Sequence, residues 1–548
     1  MTLKPIYSLC RLLTKTVFFF ITLHCHAQAP IWVFTPLSPT KLTLSKETTA
    51  TVKYKITNQS IKKHSLALRP IAGVKQITTG SDCPNLFVLG FQESCTLTLQ
   101  ITGSYLQDDI VDGPWVCEQV NPLQCYQPSQ PDILNITRSA GNFLVISDIH
   151  LDQDKASISY KEDTGTLLFS NTLSQLAQLI SEQSPQFMVY LGDSPAHSQI
   201  NRASNVQLVL EGLSRNAPST PFFYVYGNND SYNLGPNPTI NYGPFSQDGV
   251  NLFNLDPAAA WPALNVITCP ASTACINPTI SPNMAFAQKY GFYSAYPLGS
   301  DTPLRFIAVN SVIFSYRYTG PLAIQQEEAQ FELDWLAAQL QDAKMKNEQV
   351  FIAMHIPIGD VAVNPTHPDL WNTSILLNGN ITPSLKGLTL RNAFLRLAAD
   401  YKQTIRALIT GHTHMEEYRV LYWGEAASYQ PTVLNVGVPG ITPLHLNNPG
   451  MQIYFHDTAF HLIDALTYYT TPEALPWLRF NFKSDYACPP RSTLFSCILS
   501  ELIPNLDQGS KAVSQYKINY SVRSPIYAPE PATTWEEILK LIQVYPVA

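Results

Sequence analysis

Residues 407–414 read Ala407-Leu408-Ile409-Thr410-Gly411-His412-Thr413-His414, an apolar run that stops at a glycine followed by two imidazoles. Four other runs end the same way. Phe143–Ile146 leads into Asp148-Ile149-His150, Phe187–Leu191 into Gly192-Asp193, Phe222–Tyr226 into Gly227-Asn228-Asn229-Asp230, and Val350–Ala353 into Met354-His355-Ile356-Pro357. Short apolar runs of this length read as buried strands, and Phe306–Val309 is a sixth. Helical patterns lie between them, at 172–184, at 388–401 and at 325–345, the last with Phe331, Trp335, Leu336 and Leu340 on one face. Strands alternating with helices predict an α/β domain whose sites lie beyond the carboxyl ends of the strands.

Each polar cluster alone is more often a loop cap than a ligand set. Five of them, all directly after buried runs, converge on one rim of a sheet. Together they offer four imidazoles (His150, His355, His412, His414), two carboxylates (Asp148, Asp193) and the amide of Asn228. That donor set suits two borderline metal ions sharing a bridging carboxylate. Glycines beside the donors let the backbone turn sharply and approach the ions closely.

The order of these clusters resembles the calcineurin-like metallophosphoesterases, and within them the acid sphingomyelinase-like phosphodiesterases. Gly192-Asp193-Ser194-Pro195-Ala196-His197 is similar to that family's GDxPAH segment, and Gly411-His412-Thr413-His414-Met415-Glu416-Glu417-Tyr418 to its GHTHxDEF segment. Asn448-Pro449-Gly450 before a strand fits as well. The resemblance implies two mixed β-sheets flanked by helices. It implies that Asp148, His150 and His414 hold one ion, that Asn228, His355 and His412 hold the other, and that Asp193 bridges them. Zinc is the implied metal, with iron and manganese as alternatives. The implied reaction is in-line attack on phosphorus by a metal-bridging hydroxide, without a protein nucleophile.

Two departures qualify the likeness. The family protonates the leaving group with the histidine of GDxPAH, here His197, and with a second histidine whose place is taken by Asn229. An amide is no general acid, although it can donate a hydrogen bond to phosphate. The resulting Gly-Asn-Asn-Asp is similar to the variant of secreted polyphosphatase-type members. The second departure is the saposin module of acid sphingomyelinases, a helical six-cysteine domain. Residues 30–105 hold only Cys83 and Cys95 and alternate with period two, as at 49–56 and 95–101, which predicts a small immunoglobulin-like β-sandwich instead.

The remaining sequence sets the context. The chain has 548 residues, 45% hydrophobic and 14% charged, with 42 Pro and 27 Tyr, which excludes a disordered or fibrous protein. Residues 1–29 read as a secretory leader: Lys4, Arg11 and Lys15 precede an apolar Thr16–Leu23 and small residues at Ala27 and Ala29, with cleavage after Ala27 an alternative because Pro30 follows Ala29. Without it the balance of 34 basic and 41 acidic residues becomes 31 against 41, a charge of −10, so nucleic-acid binding is not expected. The eight other cysteines form the couples Cys83/Cys95, Cys117/Cys125, Cys269/Cys275 and Cys488/Cys497, read as local disulfides of an exported protein. No later stretch reaches a membrane-spanning length of apolar residues.

The expected organisation is therefore a leader (1–29), the β-sandwich (30–105), a Pro-rich linker (106–140), the metallophosphoesterase domain (141–474) and an accessory extension with a cysteine couple and a terminal helix (475–548). His367, His445, His456 and His461 read as ordinary surface or core histidines. The expected function is a secreted phosphodiesterase acting on a small phosphorylated substrate, with a phosphocholine-type lipid head group foremost. Nucleotide or polyphosphate hydrolysis is the alternative, and a non-catalytic secreted binding protein the non-enzymatic one.

Overall fold

The ring of Phe143, on the strand Gly141–Ile146, lies 5.2 Å from that of Phe351 on Gln349–Met354, and Phe223 lies 5.1 Å from Phe306. These contacts join two sheets face to face in a computed structural model of the chain. The structure describes residues 30–230, 242–243, 279–280, 291–360 and 369–547, apart from 81, 199, 219, 300, 380, 427, 474–475, 507–508 and 530–532. The leader and the Cys269/Cys275 couple lie outside the described residues, as does His367.

One sheet has six strands in the order Phe222–Tyr224, Met188–Tyr190, Gly141–Ile146, Gly450–His456, Leu462–Tyr469, Leu478–Asn481. The first three run parallel and the rest antiparallel. The other sheet has eight strands, with Leu304–Val309, Gln349–Met354, Ile405–Thr410 and Gln430–Gly437 as its parallel centre. The mixed sheets and helices are those expected of the main domain. Helices Leu322–Met345 and Leu390–Asp400 pack on the larger sheet, and Thr166–Gln183 packs on Arg202–Asn216. All six strands expected after residue 141 form, because each is a run short enough to be buried on both faces. The long helix turns differently from expectation: Leu336 and Leu340 are buried, whereas Phe331 is 41% exposed. Ala329, Glu332, Leu333, Ala337 and Ala343 complete its inward face.

The front of the chain forms three small sheets around Trp32, Tyr54, Leu97, Leu99 and Ile101. Residues 106–140 are not a linker. They supply Ile110–Val111, Val116–Glu118, Cys125–Tyr126 and Asn135–Arg138 to two of those sheets. These strands are two to four residues long, too short for a period-two pattern to show. Disulfides join Cys83 to Cys95, Cys117 to Cys125 and Cys488 to Cys497. Residues after 474 likewise enter the main sheets, as Leu478–Asn481 in one and Gln543–Val544 in the other. Among the described residues no helix is long and apolar enough to cross a membrane.

A buried carboxylate ties front to main domain. Asp464 accepts from the Thr43 hydroxyl at 2.5 Å, from Asn481 Nδ2 at 2.7 Å and from the Lys483 backbone N–H at 3.2 Å, and burial raises its pKa. Asp464→Ala would leave those donors buried and unmatched, lowering stability by about 3 kcal/mol in urea denaturation. A loss below about 1 kcal/mol would mean that the front sheets are not held through this group.

Candidate active site

Five of the seven expected ligands occupy left-handed backbone: Asp148 (φ 50°), His150 (47°), Asp193 (60°), His412 (70°) and His414 (62°). Non-glycine residues adopt this region at a cost and persist there only where the surroundings over-determine them. Each strand ends, the chain reverses within one residue, and the side chain is thrown back across the sheet rim. The glycines make room. Gly192 has φ +88°, and a Cβ on Gly227 would stand 2.3 Å from Asp193 Oδ1.

Three groups have donor atoms within 4.8 Å of one another: Asp148, His150 and His414; Asp193, His355 and His412; and, sharing His150 with the first, His150, Asp163 and His197. Asp193 Oδ2 lies between the first two, 3.4 Å from His150 Nε2 and 3.2 Å from His355 Nε2. Asn228 Oδ1 is 3.1 Å from His355 Nε2, and His414 Nε2 is 3.2 Å from Asp148 Oδ1. The ring orientations are set from behind, since His355 Nδ1 donates to the Leu191 carbonyl at 2.7 Å and His150 Nδ1 to the Pro195 carbonyl at 3.1 Å. That leaves each Nε2 aimed at the carboxylates, the arrangement of a metal-binding histidine.

The electrostatics suit cations. Asp148 and Asp193 are fully buried; burial alone would raise their pKa values, but the imidazoles of His414 and His355 around Asp148 and of His355 and His150 around Asp193 hold both below the carboxylate range. Against its own burial, Asp193 and Asp148 push His355 up to about 9. Burial and the neighbouring His355 push His412 down to about 3, a neutral ring able to ligate. Asp148 Oδ1 and His150 Nε2 are buried with no hydrogen-bond partner. Native interiors rarely tolerate such orphans without an ion or water, so the donor set fits a metal centre.

Other residues organise the rim. Asp230 accepts from the backbone N–H groups of Asp193 (2.9 Å), Ser194 (2.7 Å) and Gly227 (3.0 Å) and from the Tyr224 hydroxyl (2.7 Å). It clamps two ligand loops while touching no donor atom of the site. Asn229 also turns inward. Its backbone N–H and its Nδ2 both donate to Asp193, each at 2.7 Å, so one of the two side-chain N–H groups orients the carboxylate and the other stays available.

His197 stacks on His150 with centroids 4.4 Å apart, and its Nδ1 donates to Asp163 Oδ1 at 2.9 Å. Asp163 also accepts from the His197 backbone N–H, and its pKa is held at about 2; burial opposes that shift, and the contacts to His197 and the charge of His150 drive it. Sequence reading missed Asp163, which follows no strand and belongs to no motif. It also took His445 for an ordinary histidine, whereas its ring lies 4.6 Å from that of His414 and lines the same cleft.

The cleft encloses about 450 Å³. Asp193, Asn228, His412 and His414 form one end, and Arg317 stands at the side with its guanidinium 5.6 Å from the Tyr316 ring and 5.9 Å from that of Tyr242.

A sandwich of two mixed sheets with a histidine–aspartate rim where both sheets end defines a phosphoesterase-type metal site. The chain belongs to the calcineurin-like phosphoesterase family, whose model matches residues 141–416, just over half of its length. It is similar to sphingomyelinase phosphodiesterase D of Dictyostelium discoideum, at 22% identity over 317 residues covering 57% of this chain and 61% of that protein. It is also similar to sphingomyelinase phosphodiesterase C of the same organism, at 25% identity over 57% of this chain and 63% of that protein. A cyclic GMP-AMP phosphodiesterase of Homo sapiens is 23% identical over 53% of this chain and 57% of its own length. The matches thus span under two thirds of each of these relatives.

Asp230→Ala should weaken zinc binding roughly 10- to 100-fold, although Asp230 is no ligand, because the Asp193 and Gly227 loops lose their shared acceptor. Competition titration with a chromogenic chelator measures this; unchanged affinity would show that the loops hold their shape without it.

Proposed function

We propose that the protein is an exported phosphoesterase with a two-metal centre that hydrolyses phosphodiesters, foremost those with phosphocholine-type head groups. The observation that carries this reading is the position of Asp193 Oδ2 between two imidazoles that belong to different donor groups. In this reading Asp148, His150 and His414 hold one divalent ion, Asn228, His355 and His412 the other, and Asp193 both. Zinc suits the borderline nitrogen-rich donors, with iron and manganese as alternatives. Bound ions supply polarisation of the phosphoryl oxygens and an acidified water.

The chain's own groups do the rest. Buried imidazoles and carboxylates keep the ligand atoms preorganised. His197 holds a proton at Nε2 for the departing oxygen, while Asp163 fixes its ring and stabilises the imidazolium. Asn229 orients Asp193 through its amide. Arg317 draws the anionic substrate into a chain that is acidic overall. The disulfides and the leader-like first 29 residues support export, and the front sheets fit an immunoglobulin-like accessory.

The names of the relatives support a phosphodiester substrate. Nucleotide or polyphosphate hydrolysis is favoured instead by Asn229, which leaves His197 as the one acid at the two motif positions. Anhydride leaving groups need less protonation than alkoxides.

Phosphorus NMR of the purified protein with sphingomyelin, ATP and a short polyphosphate together, and Asp193→Ala as control, tests both readings. Phosphocholine appearing first, with loss of turnover in a chelator and recovery on adding zinc, is the expected result. Earlier loss of the ATP or polyphosphate signals would select the alternative. No difference from the control would leave a secreted binding protein.

His197→Ala is expected to slow esters with alkyl leaving groups about 100-fold and nitrophenyl esters less than about tenfold. Equal losses would remove the acid role, which steady-state kcat on both classes decides.

A further inference from the structure

Part of the cleft lining is apolar, and the chain builds much of that part from residues outside the 141–416 family match. Tyr520, Tyr527, Ala528, Ile538 and Leu541 line it together with Met415, the residue after His414. Tyr527, Ala528 and Leu541 are partly or well exposed, so they are not simply core.

This wall is fixed in place. The Glu416 backbone N–H donates to the Tyr520 carbonyl at 2.9 Å, which joins the wall to the loop that carries His412 and His414. Tyr527 packs between Tyr520 and Trp535, with centroids 5.8 and 5.9 Å away. Thr534 and Glu537 close a capping box at the start of helix Trp535–Lys540, and Gln543–Val544 then pairs with Val420 and Leu421 in the larger sheet. Leu541 is thereby held between a capped helix and a strand.

The charge beneath the wall is neutralised. Arg419 meets Glu417 at 3.0 and 3.3 Å and gives Nη1 to the Ile358 and Asp360 carbonyls. A rigid apolar surface in the same cavity as a set of phosphate-directed donors matches a ligand with one anionic and one uncharged, greasy end.

We propose that Tyr527, Ala528, Ile538 and Leu541 form a specificity subsite that selects phosphate esters bearing an uncharged aromatic or aliphatic substituent. The subsite rests on the phosphoesterase reading above and narrows it to diesters that carry such a substituent beside the reacting phosphate; a cationic choline group is not what this wall selects.

Two nitrophenyl diesters, phenyl p-nitrophenyl phosphate and methyl p-nitrophenyl phosphate, share a leaving group and differ in the substituent the wall would meet. The zinc-loaded full-length protein should favour the phenyl ester in kcat/KM by roughly tenfold or more. Tyr527→Ala and Leu541→Ala should each reduce that ratio several-fold. Ala528→Asp, which opens no cavity and places a charge on the wall, should abolish it. Calorimetry with phenylphosphonate and methylphosphonate reads the same preference without turnover. Tighter binding of phenylphosphonate with hydrolysis of neither ester would keep the subsite and remove the hydrolytic reading. Hydrolysis of both esters with equal kcat/KM, or variants that slow both equally, would remove the subsite and keep that reading. Equal binding without turnover removes both.

Discussion

Two carboxylates, Asp148 and Asp193, sit at the rim with essentially no solvent exposure and less than 4 Å from imidazole nitrogens. Burying two carboxylates costs several kcal/mol per ion unless positive charge answers them. Every local oddity of the site follows from that requirement. The left-handed residues reverse the chain so that side chains from separate strands reach one place. Asp230 ties backbone amides together, and Asn229 gives its backbone N–H and one side-chain N–H to Asp193. The left-handed positions alone store on the order of 1 kcal/mol or more each, strain that only a well-packed scaffold can hold.

That scaffold is divided between two sheets, and so is the site. Asp148, His150, Asp193 and Asn228 follow strands of the six-stranded sheet, whereas His355, His412 and His414 follow strands of the eight-stranded one. The donor groups therefore exist only while the sheets keep their face-to-face register through Phe143, Phe351, Phe223 and Phe306. Core packing and ligand geometry are one constraint here: a core change that slides one sheet by an ångström also moves His355 and His412 relative to Asp193.

This division explains what was legible in sequence. The strands that carry the site are continuous apolar runs ended by glycine and polar residues, and their period and ends are written locally. The donor residues were legible because each directly follows such a run. Asp163 acts through a hydrogen bond to a partner 34 residues away, and no local pattern marks it; Asp230 stands in a visible cluster, but its bonds to the Asp193 and Ser194 amides, 37 and 36 residues away, are not written there. Residues 106–140 hid their strands because short segments gain their order from neighbours rather than from alternation. Phe331 misled because apolarity places a residue on the inward face only when packing admits it; its ring lies near Phe292 at the helix surface instead. The cleft wall was out of reach for the same reason, since Tyr527 and Leu541 join Met415 in lining one cavity through pairings such as that of Gln543–Val544 with Val420 and Leu421.

The cleft is asymmetric around Asp193, which on one side meets Asn229, whose amide orients the carboxylate. A second feature is an imidazole pair, in which His197 stacks on His150 and is backed by Asp163. The other boundaries of the cleft are chemically different: a guanidinium held against two tyrosine rings, and an apolar wall over a neutralised Glu417–Arg419 pair. The 141–416 match covers the donor atoms but not the residues from 520 onward that also line the cleft, which is why that match alone leaves the substrate open.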